Sequence, residues 1–185
     1  MAEPRSVVPA MLVVAVFSRH PEALGWARDR LRNVFGPVSL ASEPFDFHQT
    51  DYYQATMGAD LKKQFFAFEE LVAPESLAPA KLDTNALEAE LAALGVYPEP
   101  RPLNLDPGLL TLGKFMLATT KDQAHRIYLR DGIYAEVTLR FQAGTWEPWP
   151  WTYADYREPT VRAFLKEVRD LYKHRLAEWK ADATD

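Results

Sequence analysis

Cysteine is absent from this chain of 185 residues. Its absence excludes disulfide bonds, metal sites built on thiolates and catalysis by a cysteine nucleophile. A chain without cysteine suits a reducing compartment, and we predict a cytoplasmic location.

The chain also lacks an excess of positive charge and long apolar runs. It carries 21 basic and 26 acidic residues, a formal net charge of −5. This argues against general nucleic-acid binding, which needs a basic surface that displaces counterions. No segment reaches the roughly 18 apolar residues of a membrane span, so we expect no membrane association. The short run AMLVVAVF near the N-terminus is not followed by a cleavage pattern, and we interpret it as a buried strand rather than a signal peptide.

Several functional motifs are missing as well. There is no Gly-rich loop with a Walker lysine and no dinucleotide-binding motif, and no serine lies in a nucleophile-elbow context. The sequence therefore assigns no cofactor, and it leaves the oligomeric state open.

The order of predicted elements indicates an α+β fold. A strand, a helix, two strands, a helix and a strand follow one another, which is the ferredoxin-like order of elements in a mostly antiparallel sheet. A C-terminal β-meander extends this sheet, and a final amphipathic helix runs from about Pro159 to Lys180. We expect one domain over residues 1–185, with loose ends at 1–9 and 181–185, and helices on one face of the sheet.

The turn at Arg130–Gly132 decides which side chains of the meander face inward. A two-residue loop would push Arg126 onto the apolar face, at a cost of several kcal/mol unless the charge is paired. We therefore predict a three-residue loop with Gly132 in the left-handed conformation, which places Leu129 opposite Ile133. One face is then wholly apolar and packs on the helices; it comprises Ile127, Leu129, Ile133, Ala135, Val137 and Leu139.

The other face of the meander is polar in the same register. Tyr128 aligns with Tyr134, and Arg126 aligns with Glu136 as a cross-strand pair, with Cβ atoms about 5 Å apart. This face is either an exposed ion pair without function, worth ~0.2 to 1 kcal/mol, or the floor of a cleft. The walls of such a cleft would be the TDYY loop (residues 50–53), the DPG segment (106–108) and the tryptophan-rich segment (144–159).

Two further segments carry candidate site residues. His48 and Asp51 precede Tyr53 in a predicted loop. Either they are metal ligands, or Asp51 stabilises a turn and His48 is a partly exposed side chain. Asp106 ends a predicted strand at Asp-Pro-Gly. It is either a turn residue that bonds backbone amides or a carboxylate that faces the cleft as metal ligand or general base.

The segment ATTKDQAHR combines hydroxyl groups with Lys121, His125 and Arg126, a combination that suits a phosphate or carboxylate. A solvated loop is the alternative. The tryptophan-rich segment offers Trp151 for stacking on a ligand, or its large rings pin an irregular chain segment to the fold.

Five blocks of the sequence occur together in order: TDYYQATMG, KLDTN with the following Leu87 and Glu88, NLDPGLLTLGK, LATTKDQAHRIYLRDGIYAEVTL and PWTYADYR. In these blocks the chain resembles the bacterial domain-of-unknown-function 4416 family, over most of its length. The resemblance implies that the blocks form the family signature, and it implies no activity and no role for any residue.

Three hypotheses follow for the function. The first is a binding module for a small anionic ligand, phosphorylated or nucleotide-like, with the ligand-binding residues Tyr53, Lys121, His125, Arg126, Tyr128, Tyr134 and Trp151. The second is a metal-assisted hydrolase, with the catalytic residues Asp51, Asp106, His125 and Glu136 and the metal ligands His48 and Asp51. The third is a non-catalytic scaffold that binds a partner protein.

Overall fold

The computed structural model describes residue 3 and residues 7–47 and 53–182. His48 and Asp51 therefore lie outside the described residues. The described residues form nine strands, numbered in chain order: β1 (Ala10–Ser18), β2 (Val38–Ala41), β3 (Phe45–Asp46), β4 (Lys62–Val72), β5 (Asn104–Leu110), β6 (Lys114–Thr119), β7 (Ile127–Arg130), β8 (Ile133–Gln142) and β9 (Thr145–Pro148). The helices are α1 (Pro21–Phe35), the short α2 (Gln54–Met57), α3 (Leu77–Ala93) and α4 (Pro159–Asp182), and short 3-10 helices span Pro74–Ser76 and Ala154–Arg157.

The strands form one open, antiparallel sheet. Its order is β2-β4-β1-β5-β6-β8-β7, with β3 paired to β4 and β9 paired to β8. Strand β1 lies in the interior of this order because its continuous apolar sequence suits burial on both faces, and all nine of its residues are buried. The prediction of a mixed fold with a mostly antiparallel sheet and a C-terminal helix is confirmed.

Helices cover both faces of the sheet, so the prediction that they cover one face is wrong. Alternate residues of β1, such as Leu12 and Val14, pack with α1 and α3. The intervening residues, such as Val13 and Ala15, pack with α4. The apolar stripe of α4 needs a sheet face of its own, because α1 and α3 already occupy the first face. None of the helices in the described part of the chain is both long and apolar enough to cross a membrane.

The β7–β8 hairpin has the predicted register but a different turn. Tyr128 lies opposite Tyr134, and Ile127 lies opposite Ala135, as predicted. The loop, however, has two residues: Asp131 and Gly132 have φ values of 52° and 76°, which suits a tight hairpin turn. Arg130 rather than Leu129 then pairs with Ile133, and a bulge at Leu129 restores the predicted register beyond it.

The predicted apolar face of this hairpin is only partly buried. Ile127 and Leu129 are 71% and 40% exposed, because β7 is an edge strand. Ile133 is buried against the α3 side, whereas Leu139 packs on the α4 side. The register of β6 and β8 shifts by one residue at Thr138, and such a bulge moves the following side chains to the other face. The prediction that Ile127, Leu129 and Leu139 share one covered face is therefore wrong.

Strands β5 and β6 pair at one end and separate at the other. Their paired residues run only from Leu110 back to Gly108 on β5. Residues Asn104–Pro107 continue to pair with β1 on the other side. The Asp-Pro-Gly segment thus lies within strand β5, and the prediction of a turn there is wrong. We call the gap between residues 104–107 of β5 and 118–119 of β6 the split.

Gly108 is the first residue of β5 beyond the split that pairs with β6, and the two strands lie close together there. A methyl group on its Cα would lie 2.5 Å from the carbonyl oxygen of Met116 and 2.7 Å from the ring of Phe115. Since the obstructing oxygen belongs to the backbone, we expect Gly108→Ala to destabilise the protein by about 1 to 3 kcal/mol. Urea unfolding measures this loss.

The matched control is Gly113→Ala, in the turn after β5, where an added methyl group would meet nothing within 4 Å. We expect this variant to unfold at nearly the urea concentration of the wild type. Equal midpoints for both variants would contradict the close approach at Gly108.

Candidate functional site

A cavity of about 650 Å³ lies on the α4 side of the sheet, next to the 3-10 helix Ala154–Arg157 that precedes α4. Its floor includes residues of β1, β4, β5, β6 and β8. Side chains from the other elements close its sides. The lining residues are Phe17, Phe47, Tyr53, Lys63, Lys81, Arg101, Asn104, Asp106, Leu117, Ala118, Thr119, Thr120, Lys121, Gln123, Arg126, Glu136, Trp151, Tyr153, Ala154, Asp155 and Tyr156.

The lining is basic although the chain is acidic. Five lysine or arginine side chains and three carboxylates line the cavity, a formal charge of +2 in a chain of net charge −5. The three carboxylates each contact a basic residue of the lining, in the pairs Lys63–Asp155, Lys81–Asp106 and Arg126–Glu136.

The predicted pair of Arg126 and Glu136 forms one end of the cavity. The Arg126 Nε donates to the Glu136 carboxylate at 2.9 Å, and Glu136 is only 2% exposed. The remaining nitrogens of Arg126 donate to the Lys121 carbonyl at 3.0 Å and to the Tyr153 hydroxyl at 2.7 Å. The Thr138 hydroxyl donates to the second Glu136 oxygen at 3.1 Å. This pair is therefore a buried network at the cavity wall and not an exposed surface pair.

Tyr153 links this network to the open part of the cavity. Burial and the neighbouring Glu136 carboxylate raise the pKa of its hydroxyl to about 12, so the hydroxyl stays protonated at neutral pH. The Tyr153 side chain is 43% exposed, and its ring makes no ring contact among the described residues. Tyr153 is not among the site residues predicted from the sequence.

His125 and the tryptophans stack on one another. The His125 ring lies 5.2 Å from Trp151, which lies 5.3 Å from Trp149. The guanidinium of Arg140 lies 4.6 Å from the Trp149 ring. Much of the Trp151 ring surface is thus used within the protein, which supports the pinning interpretation for this segment. The His125 Nε2 also lies 3.3 Å from a Glu136 oxygen.

Helix α3 takes the place of the missing strand partner along the split. The Lys81 Nζ donates to the Leu105 carbonyl at 2.8 Å, and the Leu105 N–H donates to Glu88 at 2.7 Å. Lys81 and Glu88 are seven residues apart, and two helical turns therefore bring them to the same side of α3. Both backbone groups of Leu105 are satisfied although β6 has moved away.

The same lysine reaches the cavity carboxylate. Lys81 Nζ lies 3.2 Å from Asp106, which also accepts from Asn104 at 2.8 Å. Burial opposes ionisation of Asp106, but Lys81, Lys63 and these hydrogen bonds outweigh it and hold the pKa below its usual range. Burial has the opposite outcome at Glu88, where it raises the pKa despite Lys81 and Arg101. Asp106 is therefore the firmly ionised carboxylate of the split.

Arg101 and Tyr53 lie on another side of the cavity. Arg101 hydrogen bonds to the Asn104 side chain and lies 3.2 Å from Glu88. Its guanidinium also lies 5.8 Å from the centre of the Tyr53 ring. Burial and the nearby Asp106 raise the pKa of the Tyr53 hydroxyl, so Tyr53 is neutral at physiological pH.

Lys63 and Asp155 form a buried ion pair at the β4 end of the floor. The Lys63 Nζ lies 2.5 Å from the Asp155 carboxylate, and Lys63 is 3% exposed. The lysine Nζ lies 4.6 Å from the centre of the Tyr156 ring and 5.3 Å from those of Phe17, Phe47 and Phe65. These rings stabilise the ammonium through cation–π contacts, which strengthen when water is excluded.

The structure brings together six of the predicted site residues. Tyr128 and Tyr134 are not among the cavity-lining residues; they form an edge-to-face pair at 5.3 Å. Among the described residues, His125 contacts the site through Glu136 and Trp151. Among residues 7–47 and 53–182 no group of three or more metal-ligating side chains is close enough to hold a metal ion. The six that line the cavity are Tyr53, Asp106, Lys121, Arg126, Glu136 and Trp151.

Sequence reasoning missed the basic residues Lys63, Lys81 and Arg101, and also Asp155. A signal existed for two of them. Lys63 alternates with Phe65 and Ala67 on the inward face of its strand. Lys81 follows Leu77 by four residues on the apolar stripe of α3. A charged side chain on a buried stripe is uncommon unless it is paired.

No curated protein and no solved structure matches this chain significantly. A family model described as a domain of unknown function (DUF4416) matches residues 8–172. This match confirms the resemblance inferred from the five sequence blocks, and the chain belongs to the DUF4416 family.

Proposed function

We propose that the cavity binds a small anionic ligand. The observation that carries this proposal is the formal charge of +2 on the lining of a concave site in an acidic chain. An excess of positive over negative side chains around a cleft attracts anionic ligands, because the concave shape concentrates the field. The volume of about 650 Å³ lies in the range usual for small-molecule sites.

The rim after β6 supports a phosphate or carboxylate as the anionic group. Thr119, Thr120 and Lys121 line the cavity there, and hydroxyl groups together with an ammonium suit such groups. Arg101 adds a guanidinium from another side of the cavity. We therefore assign the anionic group of the ligand to the space between Lys121 and Arg101.

The metal-assisted hydrolase stays a prediction without an observation in its favour. Its metal ligands, His48 and Asp51, lie outside the described residues. Asp106 and Glu136 are each engaged by a basic side chain, at 3.2 Å from Lys81 and 2.9 Å from Arg126. The anion-binding proposal needs no change in these pairs.

Thermal unfolding in the presence of inorganic phosphate and pyrophosphate tests the proposal. A ligand that binds the native state raises the unfolding temperature by mass action. We expect pyrophosphate to stabilise the wild type, and Arg101→Gln or Lys121→Gln to weaken its affinity about ten- to a hundredfold, the effect of losing one charged hydrogen bond.

The matched control is Lys173→Gln, which removes the same charge from the exposed face of α4. We expect this variant to bind pyrophosphate like the wild type. An equal loss in the control would mean that only net charge matters, and no stabilisation of the wild type by either anion would refute the proposed function.

We also propose that the N-terminal part of the sheet is ferredoxin-like. The order β2-β4-β1-β5 supports this proposal, because α1 and α3 connect these strands and both pack on the same face.

A further inference from the structure

Lys63 has hydrogen-bonding capacity that the protein does not use. An ammonium group carries three N–H donors. Asp155 accepts one of them, and no other atom of the described residues accepts from Lys63. Lys63 is 3% exposed and lines the cavity. The surrounding rings offset part of this deficit, and an acceptor on a bound molecule would satisfy the remaining N–H groups.

Asp155 adds an acceptor beside these donors. Lys63 binds its Oδ2 atom, and no group of the described residues donates to its Oδ1 atom. The pair therefore presents donors and an acceptor side by side, with a net charge of zero. A carboxylate or phosphate at this place would meet the like charge of Asp155, which disfavours it. A neutral group that both accepts and donates fits the pair.

Aromatic rings surround this pair within the cavity. Phe17, Phe47 and Tyr156 line the cavity, and their ring centres lie within 5.3 Å of the Lys63 Nζ. The Tyr53 ring packs against Phe17 at 5.0 Å. Ring edges and faces make favourable contacts with a flat group and offer few partners to a flexible polar chain. The neutral group is therefore part of a flat ring.

The pair and the Arg126–Glu136 network belong to opposite sides of the cavity floor. Lys63 belongs to β4 and Glu136 to β8, and β1, β5 and β6 lie between these strands. Four strand intervals separate the backbones of these two strands by roughly 19 Å; the side chains are closer, because Tyr153, two residues before Asp155, accepts from Arg126. A ligand that reaches from Lys63 toward Lys121 is therefore elongated, with its two ends bound by different chemistry.

We infer that the Lys63–Asp155 pair binds the lactam edge of a flat ring, in which a carbonyl oxygen accepts from Lys63 and the adjacent N–H donates to Asp155. The inference rests on the proposed function, because the anionic group of the same ligand lies toward Lys121. It specifies the ligand class as an anion that carries a ring with adjacent C=O and N–H groups.

Thermal unfolding with three phosphate compounds tests this inference. Uridine 5′-monophosphate has a lactam edge, 3-methyluridine 5′-monophosphate lacks its N–H donor, and ribose 5-phosphate lacks the ring. We expect the first to bind at least tenfold more tightly than the other two. In Lys63→Met this advantage disappears: uridine 5′-monophosphate then binds no more tightly than ribose 5-phosphate binds to the same variant.

The outcomes separate the inference from the proposed function. Equal binding of the three compounds, or an advantage that survives in Lys63→Met, overturns the inference and leaves anion binding intact. Failure of all phosphate compounds to bind overturns both. Should Lys63→Met not fold, the double variant Lys63→Met/Asp155→Ala, which leaves no buried charge unpaired, carries the same comparison of the three compounds.

Discussion

Asp155→Ala should destabilise the protein by about 3 to 5 kcal/mol, because it leaves the Lys63 ammonium buried without its counter-charge. Lys63 is 3% exposed, and Asp155 is its single hydrogen-bond acceptor among the described residues. The surrounding rings offset only part of the lost attraction, since a cation–π contact contributes about 0.5 to 2 kcal/mol. Urea unfolding at neutral pH measures the change.

A second substitution separates loss of the charge pair from loss of packing. Removing both charges in Lys63→Met/Asp155→Ala should restore stability relative to Asp155→Ala alone, because no buried charge remains. A double variant that is less stable than Asp155→Ala would show that the loss of stability does not come from the unpaired Lys63 ammonium.

Glu136→Ala should cost about 3 kcal/mol, toward the lower end of the range for breaking a buried pair. Arg126 then loses its counter-charge but keeps the Lys121 carbonyl and the Tyr153 hydroxyl as acceptors. Glu136→Gln should cost less, because an amide oxygen can still accept from the Arg126 Nε. Chemical unfolding of both variants gives the two values.

Strand β8 supplies the control for this prediction. Arg140 on β8 and Glu147 on β9 also form a cross-strand pair, at 3.1 Å, but their side chains remain substantially exposed. Glu147→Ala should therefore cost no more than about 1 kcal/mol. If Glu136→Ala and Glu147→Ala had equal effects, burial would not determine the strength of these pairs.

The register of the β7–β8 hairpin was predictable from the sequence, whereas its turn, its bulge and the exposure of its side chains were not. The alternation of side chains required Arg126 and Glu136 to share a face, and they do. The two-residue turn and the bulge at Leu129 escaped prediction because a bulge restores the register without leaving a mark in the apolar pattern. The exposure of Ile127 follows from the position of β7 at the sheet edge, which depends on pairing among distant strands.

Only part of the cavity lining was predictable from the sequence. Tyr53, Asp106, Lys121 and Trp151 lay in segments that resemble loops, where sequence reasoning looks for sites. Lys63 and Lys81 lay in a strand and a helix, and their role in lining the cavity depends on the split between β5 and β6. The split depends on three-dimensional packing, because a helix on the opposite face must supply the hydrogen bonds that β5 would otherwise make with β6.

The split connects α3 with the cavity on the other side of the sheet. Lys81 extends from α3 to the cavity, where it contacts Asp106, and its Nζ also donates to the Leu105 carbonyl of β5. A substitution in α3 that displaces Lys81 should therefore alter the cavity, although this helix packs on the opposite face of the sheet.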